Sequence, residues 1–295
     1  MSAVTSESPS KGRSNRPGNL AGKQIKRSTH TRLGLATGLG IIVFFVLLAI
    51  LAPLIAPYSA TTQDLLAALQ PPSPAHLFGT DSLGRDILSR IMFGASFEMI
   101  VVIPAVTASI LLALPTGLLA GYRGGWVDRL ISSISDSVLT FPAMVLAIVL
   151  VAVLGSGILP LMLAIVVTQT PQMVRYIRGF TSQVRSADYI VASRASGSRQ
   201  LVVLVRHVLP NILGPIMVIL SLFASEALLI IAALGFLGIG VQPPAPEWGT
   251  MLSEGRSDFQ AAPHVMVFPG LVIALLILGF NLLGDGLRDV LDKRN

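Results

Sequence analysis

The chain has 295 residues, of which 53% are apolar and only 12% charged, and its mean hydropathy is +0.75. A soluble domain has too few interior places for so much apolar surface, and disorder needs the opposite balance, so both classes are excluded for most of the chain. Cysteine is absent, which removes disulfides, thiolate metal sites and cysteine nucleophiles, and the net charge of +6 becomes a question of membrane topology.

Residues 1–32 are rich in Ser, Thr, Gly, Pro and Asn and carry seven bases (Lys11, Arg13, Arg16, Lys23, Lys26, Arg27, Arg32) against one acid, Glu7. This composition predicts a disordered basic tail before an uncleaved anchor. The membrane domain, 33–292, follows from uncharged runs. Leu33–Gln63 holds the first span and Met99–Tyr122 the second. Ser137–Val174 is too long for one crossing of about 20 residues, and Gly155-Ser156-Gly157 with Pro160 splits it in two. Val208–Ile239, broken by Glu226, gives the fifth, and Val265–Gly284 the sixth. The predicted spans are about 34–56, 97–121, 137–155, 158–175, 210–234 and 265–285, with a cytoplasmic loop at 176–209. No segment alternates with a two-residue period, so an all-α membrane protein is expected rather than a β-barrel.

Six spans place both termini on one side. Of the 21 basic residues only Arg85, Arg90 and Arg256 then fall on the other side. Such a bias makes the termini cytoplasmic and the location a cell membrane crossed many times. Trp126 and Trp248 fall near predicted interfaces, where amphipathic rings are favoured.

Catalytic patterns are missing. The sequence has no phosphate-binding Gly-x4-Gly-Lys-Ser/Thr, no His-Glu-x-x-His and no Gly-x-Ser-x-Gly, and His30, His76, His207 and His264 lack metal-ligand spacing. The chain is therefore read as no enzyme in its own right, with no cofactor and no bound metal. Energy for any transport would come from another chain or an ion gradient.

The 176–209 loop is the most informative segment. Asp188 suits the start of a short helix, and Gly197 suits its left-handed end. Ser198 can begin a second helix carrying Leu201, Leu204, Val205 and Val208, and Pro210 predicts a bend before the fifth span. Small residues Ala192, Ser193 and Ala195 on the first helix let a partner approach closely. A plain basic connection between spans is the competing interpretation.

This loop resembles the signature loop of permeases in importer-type ABC transporters: Glu-Ala-Ala, three residues, Gly, nine residues, then Ile-x-Leu-Pro. Val191, Ala192, Ser193, Gly197, His207, Leu209 and Pro210 stand at those positions. Val191 replaces the acid and Ser193 the second alanine. The segments 78–87, 121–128, 236–244 with Glu247-Trp248-Gly249, and 281–289 resemble the second permease subunit of the dipeptide/oligopeptide/nickel subfamily. The resemblance implies the type I importer permease fold and ATP-driven uptake of di- or oligopeptides across a prokaryotic inner membrane. It implies a homologous second permease, two ATP-binding subunits holding ATP and Mg, and an extracytoplasmic substrate-binding protein, with no nucleic acid. It also implies coupling to the ATPases through Asp188, Tyr189, Val191, Ala192, Ser193, Arg194, Ala195, Gly197, Arg206, His207 and Pro210.

Other residues are weighed singly. Glu226 lies at membrane depth, where a carboxylate is costly and faces a cavity or a partner, so a pathway role competes with structural hydrogen bonding. Asp81, Arg85, Asp86 and Trp248 lie in outside loops and either pair internally or touch the binding protein. Glu98 reads as interfacial and Asp136 as a helix-start acid. Gly117 and Gly121 allow close helix packing, a spacing common by chance. Met144, Met162 and Met217 read as packing. A secondary transporter or channel without ATPases is the alternative; it calls for inverted repeats and several buried ionisable groups, and only one deep acid is present.

Overall fold

The computed structural model describes residues 18–292. Its elements are α1 (Gly18–Ile55), α2 (Ile87–Arg123), α3 (Gly125–Leu139), α4 (Ala143–Leu154), α5 (Ile158–Arg185), α6 (Asp188–Ala195), α7 (Gln200–Val203), α8 (Leu209–Phe236), α9 (Trp248–Glu254) and α10 (His264–Asp292). A single π-helical turn, Leu204–Val208, joins α7 to α8. The fold is all-α, as expected.

Residues 1–17 of the expected tail lie outside the described residues. The rest of that tail differs from the expectation: α1 begins at Gly18. No proline lies between Pro17 and Pro53, so nothing in the sequence interrupts the helix once it starts.

Five helices are long and apolar enough to cross a membrane, and α3 with α4 forms a sixth candidate bent by 80°. The third span, expected as 137–155, is therefore not one helix. Pro142 is the physical reason: it disfavours helical backbone at Phe141 and lacks the amide that would continue the ladder. α4 alone, with 12 residues, covers only about 18 Å.

Contacts between glycines and their neighbours show that the chain nevertheless returns from one end of the bundle to the other here. Gly117 lies against Val174 and Ile177, and Gly121 against Arg178 and Thr181. Residue numbers rise together along both helices, so α2 and α5 run parallel. The segment between them must carry the chain back across. Elsewhere the neighbours are antiparallel: Gly279 meets Ile41 and Gly286 meets Leu35, while Gly214 meets Leu291 and Gly284 meets Ser221. With α3 and α4 taken together as one bent span, the candidate crossings number six. The start of α1, the α2–α3 joint, the 186–207 segment and the end of α10 all lie at one end.

The helix packing buries Leu161, Ile165, Met173 and Ile177 of α5 against α2 and α8, whose Val101, Ala105, Ala227, Leu228 and Ile231 are equally buried. Lipid-facing apolar residues remain exposed, as a bilayer requires. α3 carries Trp126, Leu130 and Ile134 exposed at four-residue spacing, one apolar stripe suited to lying along the interface.

Candidate functional site

Three places concentrate polar or unusual features. At the end bearing the termini, α6 begins with Asp188, an acid in a first turn where it favours the free amides. Gly197 has φ +78°, and the Ser198 amide donates to the Ser193 carbonyl at 3.3 Å, the outer bond of a Schellman closure. Ser193 and Ser198 hydroxyls also meet at 3.2 Å. Buried Ile190 pins α6 to the bundle, while Tyr189 and Ala192 stay exposed. The side chains of Val191, Arg194 and Ala195 lie outside the described set.

The bend expected at Pro210 is not there. The chain turns at 196–199, and residues 200–236 run as one helix. The π turn explains this: Leu209 donates to Leu204 across a widened turn, which accommodates a proline without breaking the rod. Asn211 Nδ2 donates to the His207 carbonyl of the π turn. The second helix of the expected elbow is thus the foot of the fifth span. Leu201, Val202 and Val205 project from it, exposed beside α6, while Arg206 and His207 fall in the π turn itself. Beside this foot, Arg178 of α5 holds Asp128 of α3 bidentately through Nε and through Nη2 at 2.9 Å.

Deeper in the bundle, α5, α8 and α10 enclose a cavity of about 750 Å³. Gln172, Tyr176, Asn211, Glu226 and Arg288 supply its polar wall, and Phe180, Leu222 and Phe223 its apolar one. Glu226 is half-buried there and makes no ion pair among the described residues.

At the opposite end, residues 57–86 and α9 form a stapled junction. Asp81 accepts the Leu83 and Arg85 amides at 2.9 Å, Arg85 Nε at 2.6 Å, and Arg90 Nη1. Glu254 receives Arg85 Nη2 at 2.8 Å and Arg90 Nη1 at 2.9 Å. Asp86 caps α2 through the Ser89 amide and pairs with His76. Trp248 is fully buried, donates to the Ile91 carbonyl at 3.1 Å and sits directly on Gly94. Glu247 caps α9 through the Gly249 and Thr250 amides, each at 2.6 Å. Burial pushes its carboxyl up from the usual carboxylate range. Buried Glu98 of α2 faces it without a hydrogen bond of good geometry.

This geometry corrects three expectations. Asp81, Arg85, Asp86 and Trp248 are at most 3% exposed, so these side chains offer no face to a binding protein; they pair within the junction. Trp248 is not an interfacial anchor, and Glu98 is not interfacial. Sequence reasoning missed Arg90, Glu247 and Glu254 as members. Glu247 and Trp248 stood in one recognised motif, but their partners on α2 are more than 140 residues away, a distance no local spacing reveals.

Residues 113–295 match the family described as "Binding-protein-dependent transport system inner membrane component", and residues 35–72 match "N-terminal TM domain of oligopeptide transport permease C". The dipeptide transport system permease protein DppC of Alkalihalophilus pseudofirmus is 43% identical over 278 residues, covering 94% of this chain and 90% of that one. The glutathione transport system permease protein GsiD of Pectobacterium atrosepticum is 41% identical over 270 residues, covering 91% and 89%. Among solved structures, an inward-facing form of the MetNI methionine ABC transporter aligns with TM-score 0.59 at 17% identity, covering 71% of this chain and 98% of that one, a likeness of fold.

Proposed function

The chain belongs to the family of inner membrane components of binding-protein-dependent transport systems and is a permease subunit of an ABC importer; from that premise we propose that its cargo is a short peptide. The names of relatives at this identity, a dipeptide permease and a glutathione permease, support that class.

In this reading α6 is the coupling helix. The observation that carries it is an exposed short helix closed by a left-handed glycine, beside exposed Leu201, Val202 and Val205 on a rigid span. Two ATP-binding subunits, which hold the ATP and Mg, would receive this surface and that of a homologous second permease. Closure of the ATPases would pull the two α6 helices together. Because residues 200–236 form one rod, that pull would reach the cavity at Glu226, a wall of the pathway, as rigid-body motion. ATP drives the change by binding one of the two states more tightly. Val191, in place of an acid, removes one charged contact to the ATPase without altering the docking mode. An extracytoplasmic binding protein would meet the exposed crest of Tyr58, Leu65, Leu66 and Leu77 above the stapled junction. The end bearing α6 would face the cytoplasm, across a prokaryotic inner membrane.

Co-purification tests this assignment. A tagged chain should bring down an ATPase subunit, and Ala192→Trp should abolish ATP-dependent peptide uptake while leaving the chain in the membrane. Absence of the ATPase together with undisturbed uptake would refute it.

A further inference from the structure

Glu226 makes no ion pair among the described residues in this cavity, yet a carboxylate at membrane depth needs compensation. Its surroundings suit an organic cation better than a bare ion. Tyr176, Phe180 and Phe223 present aromatic rings, which attract ammonium groups, and Gln172 and Asn211 offer amides for a peptide backbone. No cluster of three acids, histidines or cysteines able to hold a metal occurs among the described residues.

The opposite charge on this wall is also placed informatively. Contacts of Gly214 with Leu291, of Gly284 with Ser221 and of Ser225 with Asn281 fix the antiparallel register of α8 and α10. In that register Arg288 lies level with residue 217 of α8. Nine residues separate that level from Glu226, roughly 13 Å along the helix at 1.5 Å each. An extended peptide advances at most about 3.6 Å per residue, so a chain of three or four residues spans acid to base. Arg288 makes no ion pair with an acid among the described residues either.

We propose that Glu226 is a transit site for the free α-ammonium group of a short peptide, with Arg288 facing the carboxylate end. This inference rests on the reading of the chain as a peptide-importer permease and adds the chemistry by which the pathway recognises its cargo. Bound this way, a zwitterionic peptide neutralises the deep acid while its carboxylate points toward the end bearing α6.

The absence of cysteine provides the test. A Leu222→Cys chain, assembled with its partner permease and ATPases and purified without binding protein, is labelled with a hydrophilic maleimide. Trialanine should slow labelling at least several-fold, and N-acetyl-trialanine should not. Glu226→Gln in the same background should abolish protection, and Glu226→Asp should retain part of it. Equal protection by both peptides, or none by either, overturns the ammonium site. So does a cysteine that never labels in the assembled complex, because the partner permease then fills the cavity. ATPase co-purification in the same preparation reports separately on the importer assignment.

Discussion

Asp81 is the residue on which the stapled junction turns. It compensates Arg85 and Arg90, two guanidiniums that are each 1% exposed. A buried pair adds little over apolar packing, but removing one member strands a charge at about 3–5 kcal/mol. Asp81→Ala should therefore lower the thermal stability and membrane yield of the complex sharply, whereas Leu66→Glu, on the exposed crest, should spare yield and reduce binding-protein-dependent uptake; immunoblot and uptake assays separate the two. Glu247 adds a pH dependence. Its folded carboxyl titrates above the usual range because it is buried. The folded protein thus holds a proton there that the unfolded chain has lost, so stability falls as pH climbs from the usual carboxylate range to the raised value, then levels off. Thermal unfolding of the purified complex across that window should show the decline, and Glu247→Gln should flatten it from a lower starting point. None of this junction was readable as a unit, since Asp81 and Glu254 are separated by most of the chain. The pairing of Asp81 with Arg85 was readable, because four residues separate them in a turn.

At the scale of helices, close approach of α2 to α5 decides the packing. A Cβ on Gly121 would fall 2.6 Å from the Arg178 carbonyl and 2.7 Å from Thr181 Cβ, positions that only a backbone shift can clear. Gly121→Ala should cost about 1–3 kcal/mol by overpacking, against Gly40→Ala, which meets nothing within 4 Å and should be neutral or slightly stabilising. Melting temperatures of the two variants in one detergent check this. The four-residue glycine spacing was visible in sequence, but its partner was not, and such spacing is common by chance. Apolar runs point to long membrane helices because burial in lipid needs length and apolarity alone. They failed at 137–155, where Pro142 breaks the backbone inside an uncharged run and hydropathy is blind to backbone geometry. The proline rule failed at Pro210, where a π turn absorbs the proline.

At the scale of the whole molecule, charge and helix register arrive at topology independently. The parallel pair α2 and α5 forces the broken α3–α4 segment across the membrane, which places both chain ends, the α2–α3 joint and α6 together. Arg123, Arg129, Arg178, Arg185, Arg199, Arg206 and Arg288 then lie toward that end, while Arg85 and Arg90 pair with Asp81 and Glu254 in the junction at the other. The cysteine-free background makes the orientation measurable. A cysteine at Leu66, 96% exposed beyond α1, should react with a membrane-impermeant maleimide in intact spheroplasts. One at Leu201, 71% exposed beside α6, should react only after the membrane is opened. The reverse pattern would leave six crossings intact but turn the coupling surface away from cytoplasmic ATP, and would end the importer reading. Labelling of both from outside would instead show that α3 and α4 do not complete a crossing, contradicting the parallel register on which the arrangement rests.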